Sequence, residues 1–184
     1  MSTRAFRILV AVIGLGVVAG CSDTADHNAA DVTFATGMIP HHRQAVQMAE
    51  LATDRAASPA VLQLAEEIRA AQQPEIDTMS GWLEEWGEPV PGDMGGMDGG
   101  SGGMNEMPGM LTEEQLADLE AADGPAFEQM FLEAMIDHHT GAIQMAQTEQ
   151  EDGASADAIA VAEEIERAQT EEIDRMRELL ADTE

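Results

Sequence analysis

The chain contains the stretch MIPHHRQAVQMA at residues 38–49 and a close copy, MIDHHTGAIQMA, at residues 135–146. These stretches belong to a longer repeat, in which residues 34–83 align with residues 131–180 at a constant offset of 97, and 22 of 50 positions are identical. An internal duplication of this kind predicts two copies of one supersecondary unit. Both copies retain a His-His pair and Met residues, whose side chains can ligate soft metal ions such as Cu(I).

Apolar residues on both sides of the duplicated motif recur at helical spacing, and no segment alternates with period two. Ser58 and Pro59 form a typical helix start, with Ser as N-cap and Pro at the first helical position. Thr112 and Gln115 form a capping box. We therefore expect an all-α fold, a four-helix bundle made of two antiparallel helical hairpins. The predicted helices cover about residues 31–56, 58–86, 112–122, 123–150 and 154–182.

A segment rich in Gly and Pro separates the two hairpins. Residues 87–110 contain nine Gly and three Pro, which is too many for a helix or a strand and predicts a flexible linker. One domain is expected over residues 31–184. Its predicted parts are the first hairpin (31–86), the linker (87–111) and a short helix with the second hairpin (112–184).

The N-terminus resembles a secretory signal of the bacterial lipoprotein type. Basic residues precede an apolar run over residues 8–20, which is too short to span a bilayer comfortably. The run ends in Val18-Ala19-Gly20-Cys21, similar to a lipobox whose Cys is lipidated after cleavage. The alternative is an ordinary cleavage site beside an unmodified Cys. We expect removal of residues 1–20, and a tether over residues 21–30 that holds the domain on the outer side of a membrane, in the cell envelope or periplasm.

The composition is strongly acidic. The 36 Asp and Glu outnumber eight Arg, there is no Lys, and removal of residues 1–20 would leave six Arg and a formal charge of −30. Such a charge repels nucleic acids and anionic lipid headgroups, so we exclude a nucleic-acid partner. An acidic surface raises the local concentration of cations without selecting among them. The single Cys excludes a disulfide framework.

The duplicated motif places its His and Met side chains on one face of a helix. Met38 lies three and four residues before His41 and His42, so these side chains can approach a common point. Met48 is about two turns from His41, which favours core packing or a second, separate site. An antiparallel partner helix brings Met79 towards Met38, so each hairpin is predicted to hold two His and two Met. The corresponding residues of the second hairpin are Met135, His138, His139, Met145 and Met176.

Pro40 stands directly before the first His-His pair. If the first helix begins near Asp31, Pro40 lies inside it and removes the hydrogen bond to the carbonyl of Thr36, which costs about 3 kcal/mol or forces a kink. The alternative is a helix that begins at Ile39, with Pro40 in its first turn. The second copy has Asp137 at this position, so the two sites are expected to be inequivalent.

Five of the 13 Met residues lie in the Gly-rich linker, where a flexible chain offers no core for them to fill. Thioethers favour Cu(I), and M-x-x-M steps allow two sulfurs to meet on one ion. The alternative is a low-complexity linker with incidental Met. The candidate linker ligands are Met94, Met97, Met104, Met107 and Met110.

The duplicated M-x-x-H-H-x-x-A-x-x-M-A motif resembles that of the domain of unknown function 305 family of secreted bacterial proteins. The resemblance covers about residues 31–182 and implies a bundle related to ferritin-like four-helix bundles. The family includes periplasmic copper-binding members, which implies binding of Cu(I) or Ag(I) through Met and His. The Met-rich linker is not part of the shared motif. By motif position, the implied ligands are Met38, His41, His42, Met48, Met135, His138, His139 and Met145.

Three functions are compatible with these features. The favoured one is an envelope-anchored lipoprotein that binds, buffers or transfers Cu(I) or Ag(I), with a copper-transfer protein as a candidate partner. The first alternative is a structural or protein-interaction lipoprotein, whose His pairs form a buried, hydrogen-bonded layer. The second is a ferritin-like metal oxidoreductase, which needs Glu-x-x-His on each of two helices, whereas this chain has Met-x-x-His. We expect no enzyme, and the paired Met make zinc the least favoured metal.

Overall fold

The computed structural model describes residues 26–92 and 107–182. In these ranges the protein is 83% helical, with five helices and no strand, which confirms the predicted all-α fold. The helices are α1 (Ala29–Arg55), α2 (Pro59–Trp86), α3 (Glu113–Ala121), α4 (Gly124–Asp152) and α5 (Ala156–Ala181). The predicted signal peptide, Cys21, Met94, Met97 and Met104 lie outside the described residues.

Local capping sets most of the helix boundaries. Asn28 caps α1, Ser58 caps α2 as predicted, and the capping box of Thr112 and Gln115 opens α3. α2 ends at Trp86 and is followed by its C-cap Gly87, whose φ of 76° lies in the left-handed region that favours glycine. α4 ends at Asp152 and therefore includes part of the predicted turn.

Both helices of the first hairpin contain an internal proline. α1 begins well before Pro40, so the alternative with a later helix start is wrong. Pro74 lies inside α2, which was not predicted. A proline has no amide hydrogen, so each removes one helical hydrogen bond. Pro40 directly precedes the His pair and Pro74 directly precedes Glu75, whereas the second hairpin has Asp137 and Glu171 at these positions. The two hairpins therefore differ at the level of the His pairs.

The helices pack as two hairpins, α1 with α2 and α4 with α5, and α1 also packs along α4. One apolar cluster joins the start of α1 to the end of α2 and the second half of α4, and we call it the Met38 cluster. The other joins the end of α1 to the starts of α2 and α4, and we call it the Met135 cluster. Adjacent helices are therefore antiparallel. The Met38 cluster includes Phe34, Met38, Ile76, Met79, Leu83 and Ile165. The Met135 cluster includes Met48, Leu64, Phe127, Phe131, Met135 and Met176.

A carboxylate from each hairpin caps a helix of the other hairpin. Asp31 of α1 accepts hydrogen bonds from the amides of Ala154 and Ser155, at 3.1 and 2.8 Å, at the start of α5. At the equivalent position 97 residues later, Glu128 of α4 accepts hydrogen bonds from the amides of residues 57 and 58 at the start of α2. Both carboxylates are buried, and negative charge is favourable at a helix N-terminus. These contacts therefore hold the hairpins in register.

Asp31 has an acidic neighbour, Glu149 of α4, at the position equivalent to Ala52 in the first repeat. Burial raises the pKa of Glu149 to about 8, and the Asp31 carboxylate adds to the effect. Burial also tends to raise the pKa of Asp31, but hydrogen bonds from Glu149 and from backbone amides outweigh it and hold that pKa below its ordinary value. With this pKa, Glu149 is protonated near neutral pH and can donate a hydrogen bond to Asp31.

Glu149→Gln should remove a pH dependence of stability. The pKa of Glu149 in the folded protein, about 8, lies above the ordinary value of 4.5, so its contribution to stability is full below pH 4.5 and is lost as the pH rises through 8. Glutamine donates to Asp31 at every pH. Urea unfolding between about pH 5 and pH 9 should show a decline in wild type that the variant lacks. Glu85→Gln, at an exposed position on α2, should keep the decline, and an unchanged decline in Glu149→Gln would refute the shared proton.

Candidate metal centre

Two histidines from different hairpins meet in the middle of the bundle. The ring centroids of His41 and His138 lie 3.8 Å apart, with the ring planes tilted by 43°. Both side chains are fully buried, and along α1 and α4 they lie between the segments that form the two apolar clusters. The expectation of a separate His-Met cluster in each hairpin is corrected here. Because α1 packs against α4, the first His of each pair meets the other in one shared layer. We call His41, His42, His138 and His139 together the histidine layer.

The second histidine of each pair is held by a glutamate from the neighbouring helix. Nε2 of His42 lies 2.7 Å from Oε2 of Glu75 on α2, and Nε2 of His139 lies 2.6 Å from Oε2 of Glu172 on α5. In both pairs the ring N–H donates to the carboxylate. The two contacts are related by the offset of 97, so the duplication extends to the partners of the histidines.

Sequence reasoning missed four polar residues of this region. Glu75 and Glu172 were not predicted, and neither were Gln72 and Gln169, which are buried with unpaired side-chain amide atoms. A signal for them was present, because both pairs are identical at the repeat offset. They lie outside the His-His motif, and only the packing of α2 and α5 brings the glutamates to the histidines.

Each of the four histidines in the two His-His pairs has a buried ring nitrogen without a hydrogen-bond partner. These atoms are Nδ1 of His41, His42 and His139, and both ring nitrogens of His138. Buried polar atoms are normally paired, so a layer of unpaired nitrogens calls for an explanation. In a neutral imidazole whose Nε2–H donates to a carboxylate or carbonyl, Nδ1 carries a lone pair. Metal-ligating histidines typically show this arrangement, with the second nitrogen bound to such an acceptor.

The two central rings are neutral. Burial lowers the pKa of His41 to about 3, and the nearby His42 and His139 add to the effect, while a hydrogen bond to the Pro108 carbonyl opposes it. Burial and the other three histidines hold the pKa of His138 well below its ordinary value, against a weaker effect of the His41 carbonyl. Both rings therefore keep a lone pair across the physiological pH range.

The helical methionines lie on both sides of the histidine layer. Met38 and Met79 are fully buried in the Met38 cluster, and Met135 and Met176 are fully buried in the Met135 cluster. Each cluster thus contains the Met pair of one hairpin. The cluster that holds Met38 and Met79 borders the histidine layer along α1, because His41 follows Met38 by one helical turn.

Met48 and Met145 each pack with the cluster that contains the Met pair of the other repeat. Met48, from the first repeat, is buried in the Met135 cluster, and Met145, from the second repeat, packs against the Met38 cluster. This exchange was not predicted from the helix geometry of one repeat. It follows from the antiparallel packing of α1 and α4, which places the end of one helix beside the start of the other.

The C-terminal end of the linker is folded onto the histidine layer. Nε2–H of His41 donates to the carbonyl of Pro108 at 3.0 Å. The side chain of Gln44 accepts a hydrogen bond from the amide of Leu111 at 2.7 Å and donates to the carbonyl of Leu111 at 3.0 Å. The prediction of a flexible linker that buries nothing is therefore wrong for residues 107–111.

Two glycines allow the linker end to approach α4. A Cβ on Gly141 would lie 1.9 Å from the carbonyl oxygen of Pro108, and a Cβ on Gly109 would lie 2.4 Å from the carbonyl oxygen of Asp137. Gly109 also has a φ of 78°, which glycine adopts readily. Gly141 occupies the position that Gln44 has in the first repeat. One repeat therefore leaves space for the linker, and the other provides its hydrogen bonds.

The two methionines of the docked linker segment lie near different neighbours. The sulfur of Met107 lies 3.9 Å from the position that a Cβ on Gly37 would occupy, and the terminal methyl of Met145 lies 3.0 Å from the same position. Met110 lines a cavity together with Met130. Both linker methionines are half-buried. Among the five predicted linker ligands, these two fall within the described residues.

The candidate centre consists of imidazoles and thioethers. Within residues 26–92 and 107–182, no group of three or more His, Cys, Asp or Glu side chains is arranged to hold a metal ion. In the same part of the chain, no helix combines the length and the apolar character that crossing a bilayer requires.

Sequence comparison identifies the family of this chain. A family profile described as Domain of unknown function (DUF305) matches residues 31–180. One curated relative, an uncharacterized protein (L153) of Acanthamoeba polyphaga mimivirus, is 40% identical over 55 residues, which cover 30% of this chain and 36% of the relative. The match thus spans about a third of that relative's length.

Solved structures share the fold. A DUF305 protein from Streptomyces coelicolor, classed as secreted, has a TM-score of 0.74 at 33% identity, with 84% of this chain and 93% of that chain covered. A DUF305 fragment from Deinococcus radiodurans has a TM-score of 0.74 at 28% identity, with 84% and 97% covered. CopM in its Cu(II)-bound form has a TM-score of 0.69 at 31% identity, with 83% and 96% covered. Further structures of CopM are Cu(I)-bound and Ag-bound.

Gly141→Ala should detach the linker end from the histidine layer. The new Cβ would meet the backbone of Pro108, and overpacking of this kind costs about 1–3 kcal/mol. Hydrogen exchange at the Leu111 amide, which Gln44 protects, should become faster. Gly81→Ala is the matched control, because a Cβ there meets nothing within 4 Å and should stabilise α2 by about 0.5–1 kcal/mol. Unchanged exchange at Leu111 in Gly141→Ala would contradict the docked arrangement.

Proposed function

The chain belongs to the Domain of unknown function (DUF305) family, and we propose that it binds Cu(I), and by the same chemistry Ag(I), in the histidine layer. One observation supports this most directly. His41 and His138 contact each other in a buried layer in which all four imidazoles keep an unpaired ring nitrogen. An unpaired buried polar atom costs about 1–3 kcal/mol, which a bound cation would recover. The similar CopM, solved with copper bound, supports the same function.

The histidines of this chain are prepared as ligands by their surroundings. The low pKa of His41 and of His138 keeps both rings neutral, so no proton has to leave when a cation binds. Glu75 and Glu172 accept the Nε2–H of the second histidine of each pair. This orients those rings and leaves Nδ1 as the nitrogen available for the metal.

The methionines would make the site selective for a soft cation. Met38 and Met79 on one side, and Met135 and Met176 on the other, are buried in the clusters that adjoin the histidine layer. Thioether sulfur favours Cu(I), whereas zinc prefers thiolate, imidazole and carboxylate. Met48 and Met145, exchanged between the repeats, place a third thioether at each cluster.

Binding without catalysis is the role we assign to this site, and the metal is cargo rather than a resident cofactor. The protein would buffer Cu(I) or transfer it to a copper-transfer protein. Met94, Met97 and Met104 would act as a capture arm that passes the ion to the docked end of the linker. The acidic surface, with a formal charge of −28 for the whole chain, would raise the local concentration of cations around this arm.

Lipidation of Cys21 would place this activity in the cell envelope. The residues before it have the composition of a lipoprotein signal, and the family profile begins only at residue 31. α1 begins at Ala29, so seven residues, 22–28, would separate the acylated Cys21 from the first helix. An anchored protein of this kind would work at the outer side of a membrane without spanning it.

The double variant His41→Ala/His138→Ala should lose Cu(I) binding in the histidine layer. Anaerobic Cu(I) titration with metal analysis measures the number of ions bound, and the variant should bind at least one fewer. Saturation of the histidine layer at 100 times its dissociation constant should stabilise the fold by about 2.7 kcal/mol, and the double variant should lose this part of the thermal shift. Glu75→Gln should weaken binding by about 10–100-fold, since it changes an orienting partner of His42 rather than a ligand.

His27 provides the matched control for these variants. It lies outside the duplicated pairs and stacks on Trp86, with 4.4 Å between ring centroids, so His27→Ala should keep the full number of bound ions. Circular dichroism should show that the double variant remains helical. Unchanged Cu(I) binding in a variant that lacks all four paired histidines would eliminate them as ligands and favour the alternative of a structural, metal-free bundle.

Cys21→Ser should release the protein from the membrane fraction. Cells grown with labelled palmitate should incorporate label into wild type and not into the variant, because Cys21 is the only Cys in the chain. The domain should fold in both proteins, since Cys21 lies outside the matched residues 31–180. A wild-type protein that carries no label would refute the anchor and leave the metal site untouched.

A further inference from the structure

A cavity of about 350 Å³ lies between the end of the linker, α3 and the first half of α4. Met110 lines it from the linker and Met130 lines it from α4, and both side chains are half-buried. Three carboxylates, Asp118, Glu133 and Asp137, also line it, and no basic side chain from residues 26–92 or 107–182 does. The cavity thus combines two thioether sulfurs with the negative charge of three carboxylates.

The chemistry of this cavity does not come from the duplication. Met130 and Asp137 align with Thr33 and Pro40 of the first repeat, so the equivalent positions there offer neither a thioether nor a carboxylate. Met130 supplies a sulfur and Asp137 a negative charge on the side of the bundle where the docked linker end also places Met110. Two independent parts of the chain therefore supply a thioether to the same space.

We propose that Met110 and Met130 bind a soft monovalent cation, Cu(I) or Ag(I), in this cavity, which acts as a loading site for the histidine layer. Thioethers select soft cations, and the carboxylates attract any cation. In the described ranges, no three acidic or histidine side chains converge as a metal site. Selectivity therefore rests with the two sulfurs, and a hard cation such as Ca²⁺ finds no chelating set.

The position of the cavity connects it to the proposed function, on which its role as a loading site rests. Gly109 and Asp137 line the cavity, and a Cβ on Gly109 would lie 2.9 Å from Cα of His138. The backbone of Gly109 therefore lies between the cavity and His138. An ion held by Met110 and Met130 reaches His138 by exchange of thioether for imidazole, without transfer of an electron or a proton.

Methyl NMR tests the site directly. In the purified protein with ¹³C-labelled methionine methyl groups, titration with Ag(I) should shift the signals of Met110 and Met130 together, at one common saturation point. Met110→Leu and Met130→Leu, which nearly conserve side-chain volume, should each abolish the shift of the remaining partner and remove one bound Ag(I). Met107→Leu is the matched control, because Met107 is also a half-buried linker methionine but does not line the cavity.

The outcomes separate this site from the histidine layer. In His41→Ala/His138→Ala, the signals of Met110 and Met130 should still shift, so a failure of the histidine ligands leaves the cavity site standing. Two results would overturn the cavity site: a Met130 signal that stays unmoved while Met110 titrates with the other linker methionines, or a shift caused by Ca²⁺ as large as that caused by Ag(I).

Discussion

The contact between His41 and His138 is the feature on which the rest of the structure depends. It lies where α1 packs along α4, between two apolar clusters that each contain residues of both hairpins. The unpaired ring nitrogens of the layer destabilise the bundle by about 1–3 kcal/mol each. The apolar clusters and further polar contacts between the hairpins offset this cost. The crossed caps of Asp31 and Glu128 supply such polar contacts, since each carboxylate of one hairpin holds the start of a helix in the other.

The chain has one linker and two repeats, so the linker cannot make the same contacts with both repeats. Only one segment can pass over the layer, so one histidine, His41, gains the Pro108 carbonyl as a partner and His138 does not. The sequences of the repeats differ accordingly, with Gln44 binding the linker and Gly141 leaving space for it. The two halves of the layer are therefore chemically inequivalent although their histidines are identical.

The helices could be predicted from the sequence because their signals are local. Helical periodicity, the Ser58 cap and the Thr112 capping box each act within a few residues. The partners of the histidines could not be predicted in this way, since Glu75 reaches His42 only after α2 has packed on α1. The docked linker was missed for a similar reason. Its Gly-rich composition indicates flexibility. The contacts that Pro108 and its neighbours make with α1 and α4 use the linker backbone, and no sequence periodicity encodes them.

The docked linker end is held close to the limit of stability, and this fits a role in metal exchange. Ordering the five residues 107–111 costs roughly 5–10 kcal/mol, whereas three hydrogen bonds and the burial of Leu111 contribute roughly 3–8 kcal/mol. While this segment is docked, Pro108 accepts the Nε2–H of His41 and confines the lone pair of that ring to Nδ1. An ion bound as proposed would have to pass this docked segment, because Gly109 lies between the cavity at Met110 and the backbone of His138.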